Sequence, residues 1–488
     1  MSIANRVWRF SSALIVLTLL TLSLPLRADD RFESKFSRDL RISGGPVSVD
    51  HGFGSLTIRT HNDSTVLVRA TIRSSDAAFG QQIRITADQQ AGGATIRTEY
   101  PKILKRNGRL SYTVDMTLTI PADAALTASN RFGSITARGL QTSSRINNRQ
   151  GSISLQDSRG SHALANSFGS IEVSGHRGDL TIANQNGSVS TRNIDGSLNV
   201  ANRFGSVNAS DVKKSIRIVN ANGSVEVVDV LGSLTITNAF GSVRASTIGG
   251  SATVTTSNAR VELSGVGGAA TVKSSFGTVV ARSIRGALAV DGENSKVEAE
   301  DIQGDVRIDT SFGGVDLRKV RGAVSITNSN ANVAVSDVSG NLKVATRFGT
   351  TKAERIGNLV DVESANGSVT VNEAGGTRVR TSFAPVFIEG VSGPVDVTNA
   401  NGAVSVSRVR GRGCQPISIR TTFSSIKLAL PSSAAYDVNA RTSFGRISTQ
   451  LPITTRGVTQ ESVAGTLGRG GCKLELVNAN GNITIESD

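Results

Sequence analysis

Asp291 and Asp309 stand eighteen positions apart, and Glu298, Glu300, Asp301 and Asp305 crowd the same stretch. Two carboxylates at a fixed separation are what a glycan-cleaving site requires, one to protonate the leaving oxygen and one to act as nucleophile or base. The neighbours argue for something plainer. Glu300 lies at the same interval from both Arg282 and Arg318, as does Arg244 from both Glu226 and Glu262. Charges that alternate at one interval are cross-strand pairs on a solvated sheet. No constellation of His, Lys or Tyr recurs beside the acids. His51, His61, His162 and His176 are scattered without ligand spacing and are expected at the surface. No metal and no cofactor is expected.

Two further sets of residues carry chemistry. Arg131, Arg203 and Arg347 each precede a phenylalanine, Phe132, Phe204 and Phe348, and a guanidinium beside an aromatic ring can grip a sugar or a phosphate. Cys414 and Cys472 make no Cys-x-x-Cys spacing, so neither zinc nor dithiol redox chemistry is indicated. An exported setting would permit a bridge between them. Regular stacking of the intervening segment would hold them too far apart for one. Both outcomes stay open.

All these positions sit in a repeat. Phe-Gly pairs begin at Phe132, Phe168, Phe204, Phe240, Phe276, Phe312 and Phe348, in steps of 36. Halfway between stand Gln150, Asn186, Asn222, Asn258, Asn294, Asn330 and Asn366, so the basic unit is half that step, with a weaker half-repeat of nine inside it. Each half carries alternating apolar residues after its glycine, such as Val225 and Val227, then Leu234 and Ile236. Alternation over a few residues bounded by Gly and Asn predicts short strands with one buried face. A further apolar column runs through Ile194, Val212, Val230 and Ile248 to Ile356. One such coil cannot bury its own apolar face, whereas stacked coils share a continuous core. The predicted fold is therefore all-β: a single-chain parallel β-solenoid with 18-residue coils, right-handed, with β-rich caps at both ends. At ~4.8 Å per coil the roughly 14 coils from Phe132 to Phe383 give a rod of about 65 to 70 Å.

Other solenoids of the same coil length are excluded. The hexapeptide acyltransferase helix needs a six-residue sub-period, and a calcium roll needs an Asp at one place in every turn. Asn recurs at 130, 148, 166, 184, 202, 220 and 238, two residues before the corner. By strand parity it points inward as an asparagine ladder. The same parity argues that each Phe fills a corner of the core. The alternative is an exposed stripe of rings about 10 Å apart, suited to a glycan or a partner strand.

The chain has 488 residues, 38% hydrophobic but only 4% aromatic, with 51 Gly and 9 Pro. That composition supports a core of small β-branched residues and excludes disorder, a collagen and a large aromatic pocket. Arg6 and Arg9 precede an apolar run to Leu26, then Leu-Arg-Ala before Asp29. This pattern predicts a signal peptide over residues 1–28, and no later segment is long and apolar enough to span a bilayer. The formal net charge is +14. A basic excess favours polyanions: anionic lipid head groups, acidic polysaccharides and similar glycans, or extracellular nucleic acid. There is no continuous Lys/Arg column and there are no aromatics suited to base stacking, which argues against sequence-specific nucleic-acid binding.

The expected organisation is a signal peptide (1–28), an N-terminal β-rich cap (29–123), the regular solenoid (124–410) and irregular coils with a C-terminal cap (411–488). The run of Gly-Ser-[Val/Ile/Leu] coils, the Leu-Thr-Ile-Pro stretch ending at Pro121, the segment Arg446–Pro452, and Gly470 to Leu476 with Asn480–Ile483 resemble the bacterial putative-adhesin β-solenoid family. That family is a domain of unknown function akin to auto-transporter adhesin heads. The resemblance implies a non-enzymatic rigid surface, adhesin-like or scaffolding, in the periplasm, at the outer membrane or on the cell surface, with an envelope or extracellular partner. The alternative is a polysaccharide-acting β-helix hydrolase or lyase using Asp291 and Asp309.

Overall fold

A computed structural model describes residues 31–102, 110–411 and 413–488; the expected signal peptide lies outside them. The chain is 70% strand and 1% helix, wound into about 17 stacked turns of about 18 residues. At ~4.8 Å per turn the stack is on the order of 80 Å long.

One coil shows how the sequence builds the rest. From Gly223 to Phe240 the strands Val225–Val230 and Leu234–Phe240 face each other across the core. Val225, Val227, Val230, Leu234, Ile236 and Asn238 point inward, each at most 1% exposed. Alternation breaks once in the first strand. Asp229 adopts a left-handed backbone (φ 57), so Val228 and Asp229 both stay outside and Val230 returns to the core. Asn and Asp tolerate that region best, and Asn193, Asp211, Asp301 and Asp337 repeat the device at the same register. This bulge explains why a third apolar column recurs once in every coil. At the other corner Gly205 has φ +122, and a Cβ there would fall on the carbonyl oxygen of Gly187 in the coil below. The turns themselves pair as well: Gly205 N–H donates to the Asn222 carbonyl at 2.9 Å.

Pairing is parallel at a step of one coil, for instance Leu198↔Ile216↔Leu234 and Val207↔Val225↔Val243. Burial of these small aliphatic columns is the main source of stability.

The two ends depart from simple winding. Within the segment 29–123, Val47–Phe53 and Leu56–His61 already form a coil of the stack, with Val47 opposite Leu126 and Leu56 opposite Ile135. The chain then leaves the coil and returns at Leu126. Meanwhile it covers one open edge with Tyr112–Pro121, Thr65–Ser74 and Phe32–Arg41, paired antiparallel in that order, and the other with Gly93–Glu99 and Arg84–Gln90. Antiparallel strands at the ends blunt an edge that would otherwise template pairing with another chain. At the far end the winding order is interleaved. The last strand pair, Lys473–Asn480 and Ile483–Ser487, inserts between Ile417–Leu430 on one side and Tyr436–Thr449 on the other. Ser462–Leu467 and Ile453–Val458 then close that end as an antiparallel pair.

Candidate functional site

The expectation that the phenylalanines fill core corners is overturned. Phe168, Phe204, Phe240, Phe276, Phe312 and Phe348 are 43 to 64% exposed. The corner of the core belongs instead to the asparagine two residues earlier. Asn166, Asn184, Asn202, Asn220 and Asn238 are buried, and each donates from Nδ2 to the carbonyl of the turn glycine three residues on, at 2.8 to 3.1 Å. Asn166 and Asn238 also reach the glycine carbonyl of the preceding coil. Having turned inward at Asn, the chain places the next two residues outside, so Arg203 and Phe204 are both exposed. Strand parity ends at the asparagine.

The resulting surface is a straight column. Phe168 pairs with Asn186, Asn186 with Phe204, Phe204 with Asn222 and Asn222 with Phe240. Rings therefore alternate with carboxamides one coil apart, and successive rings are about 10 Å apart. The Arg203 guanidinium lies over the Phe204 ring at 5.4 Å. Arg131 and Arg347 are exposed at the same register, and Phe348 is half-exposed. Phe132 differs. Its ring is stacked on Phe53 (centroids 4.6 Å, planes 5° apart), which in turn meets Tyr100 and Tyr112 of the cap edge-on.

Two shallow grooves lie beside the column, one towards each end. One, of about 440 Å³, is floored by Ala165, Ala183 and Ala201, three residues before the ring register, and edged by Gln185 and Arg203. The second, of about 450 Å³, occupies the same register around Thr327, Ala345 and Arg347. Between them the floor column carries Lys273, Asp291 and Asp309.

The structure brings Asp291 and Asp309 onto neighbouring strands as direct partners. Both lie on the outer face, and Asp309 is tied to Arg307 Nε at 2.8 Å. Of the other acids, Glu262 pairs with Arg260 and Arg244 (2.6 and 2.9 Å) and Glu300 with Lys319 (2.7 Å), while Asp301 accepts from the Ser283 hydroxyl and Asp305 from the Ala323 N–H. Hydrogen bonds from Arg260 and Arg244 hold the Glu262 carboxyl below the usual carboxylate range, and Lys319 does the same to Glu300. No group of three or more His, Cys, Asp or Glu among the described residues is placed to hold a metal ion.

Three histidines are not at the surface. His51, His162 and His176 are buried. His51 occupies the asparagine column, opposite Asn130, and its ring nitrogens meet Thr98 Oγ1 and the Val114 carbonyl. His162 and His176 replace aliphatic residues in the columns of Leu180 and Ile194, their rings 4.9 Å apart. Their Nδ1 atoms hydrogen-bond with Ser144 and Ser158, while each Nε2 is buried without a partner among the described residues. Burial, aided by the neighbouring His176 charge, lowers the His162 pKa to about 4, and burial lowers His176 as well. Extending the column periods one coil further back would have placed both in the core.

Cys414 and Cys472 form a disulfide, with Cα atoms 5.1 Å apart. The assumption of regular stacking does not apply between them, because Ile417 and Leu474 are direct strand partners.

No helix among the described residues is long and apolar enough to cross a membrane. The class is thus a parallel β-solenoid with an exposed ring and amide column. Residues 275–486 match the family model described as Toastrack DUF4097, a domain of unknown function, so the resemblance to a β-solenoid family of unknown function holds over that stretch. A solved structure described as a "putative cell adhesion protein" from Clostridium sporogenes aligns with 42% of this chain and 100% of its own, at 10% identity and a TM-score of 0.23. None of the curated proteins compared with the chain matches it.

Proposed function

We propose that this chain is an exported, non-enzymatic solenoid of the bacterial cell envelope that works as a rigid interaction surface, adhesin-like or scaffolding. The exposed ring column carries the reading. Alternate coils fill the same corner with Asn or Gln, so folding does not call for phenylalanine there. Six rings held partly in water at one register are a surface feature that exceeds scattered exposure. The stack supplies stiffness, since every coil is hydrogen-bonded to the next. Export is supported by the apolar run after Arg9 and by the disulfide, which belongs to an oxidising compartment. Protease shaving of intact cells, followed by immunoblot, tests it: loss of the protein marks a surface adhesin, protection inside an intact outer membrane marks a periplasmic scaffold, and retention in the cytosol sinks the reading.

A second reading is favoured by one observation, the side-by-side carboxylates of Asp291 and Asp309 on the outer face between the two grooves. Strand partners about 5 Å apart match the spacing of a retaining glycan hydrolase. Release of reducing ends from a polysaccharide panel, abolished by Asp309→Asn, would establish it over the first.

A further inference from the structure

The ring column has a period, and a period selects a partner. Rings recur every second coil, about 10 Å, and the coils between them present carboxamides at Asn186, Asn222, Asn258, Asn294 and Asn330. Along the chain each ring is bounded by Gly and Ser or Thr, except at Phe312, where a second Gly follows. The rings thus never merge into a continuous apolar patch. The apolar, closely packed core of a stable protein interface is what such separated rings do not offer. Isolated rings framed by amides suit sugars, whose apolar C–H faces stack on a ring while their edges hydrogen-bond.

We infer that the Phe and Asn column, with the two grooves beside its ends, is a track for an extended β-1,4-linked chain of N-acetylated sugars lying parallel to the rod. In such a chain alternate sugars are flipped, so like faces recur every two sugars, the length of two coils. Each ring in the column then meets the same face of every second sugar. The flip also brings acetamido groups to one edge of the chain every two sugars, in step with the intervening asparagines, and a carboxamide can both donate to and accept from an acetamide. The groove floor of Ala165, Ala183 and Ala201 leaves room for the chain, and Arg203 and Arg347 supply further donors at its rim. At the N-terminal end the track stops where Tyr100 and Tyr112 cover Phe53. From Phe168 to Phe348 it runs on the order of 50 Å.

Each contact is weak alone, and the strength comes from registering several on one chain. The inference rests on the rod being an interaction surface, as proposed above. Calorimetric titration of the full exported chain with chitobiose, chitotetraose and chitohexaose tests it, with cellohexaose as comparator. Affinity is expected to rise at least about tenfold from the disaccharide to the hexasaccharide as successive rings engage, and the cello series is expected to bind more weakly. The triple variant Phe204→Ala, Phe240→Ala, Phe276→Ala is expected to lose at least about tenfold in hexasaccharide affinity with an unchanged melting midpoint, since those rings are half in water. The pair Asn222→Ala and Asn258→Ala is expected to erase the preference over cellohexaose. No hexasaccharide binding, binding indifferent to the triple variant, or equal binding of cellohexaose overturns the inference. So does a dimer in solution that the triple variant dissolves, which would assign the column to a second copy of the chain. A protein that is exposed on shaved cells yet binds no chito-oligosaccharide refutes the glycan track alone, whereas retention in the cytosol refutes the reading beneath it.

Discussion

The ring of Phe53 lies flat on that of Phe132, although most of the N-terminal cap lies between them in the chain. They are neighbours because the first coil, Val47–His61, is interrupted by the cap and resumes only at Leu126. Phe132 is the covered member of the column and Phe240 an open one. Phe132→Ala should lower stability by about 2 kcal/mol, from lost area and ring stacking. Phe240→Ala should change it by less than about 0.5 kcal/mol, as for an ordinary surface substitution. Urea denaturation of the two variants checks the contrast. Equal losses would mean that the column packs uniformly.

The disulfide ties the segment leading into Ile417–Phe423 to the one leading into Lys473–Asn480, so it pins the interleaved terminal coil to the body of the stack. Closing so long a loop constrains the unfolded chain by about 4 kcal/mol. Cys472→Ala, compared with the oxidised wild type, should therefore show hydrogen exchange that accelerates first in Lys473–Asn480 and Tyr436–Phe444. Exchange unchanged in those strands would show that packing alone holds the coil.

The buried histidine pair makes stability depend on pH. Burial holds both rings below their ordinary value of 6.5, with His162 at about 4. The unfolded chain then binds protons that the folded chain refuses, so stability falls as pH drops from about 6.5 toward 4 and levels off below. The loss from His162 is on the order of 2 to 3 kcal/mol. His162→Leu with His176→Ile restores the aliphatic columns of Leu180 and Ile194. That variant should show a flatter urea midpoint between pH 7 and 4.5. An identical slope in wild type and variant would place the titration elsewhere.

These residues also mark what the sequence could and could not disclose. The stack was legible because the coil period leaves no other way to bury columns such as Val212, Val230 and Ile248. The same period places His176 in the column of Ile194 and His162 in that of Leu180, so their burial was present in the spacing and masked only by their polarity. Phe204 misled for a different reason: alternation predicts facing only while the strand stays regular, and Leu198–Phe204 breaks it after the inward Asn202, at Arg203, which drops out of the ladder. The terminal interleaving left no periodic trace. Ile417, Val438 and Leu474 follow one another along the chain, yet the last pairs between the other two, an order set by long-range pairing.

The asparagine column permits a test already half performed by the chain itself. Where Asn is replaced, Thr346 and Thr421 stand in the same register, and each donates its hydroxyl to the carbonyl of the phenylalanine two residues on, at 3.0 Å. A donor into the turn is thus the usual arrangement, with Thr256 and Thr381 as exceptions whose buried hydroxyls have no partner among the described residues. Asn220 supplies the donor through Nδ2 to the Gly223 carbonyl at 3.1 Å, while its Oδ1 is buried without a partner among the described residues. Asn220→Thr keeps a donor and should cost no more than about 1 kcal/mol. Asn220→Asp removes the donor and turns a carboxylate toward a buried carbonyl, which should cost about 3 kcal/mol or more at pH 7 and less as acid neutralises the group. Melting midpoints of the two variants at pH 7 and pH 4.5 separate these effects. If the aspartate were as well tolerated as the threonine, the ladder would owe its stability to shape and not to the bond it donates.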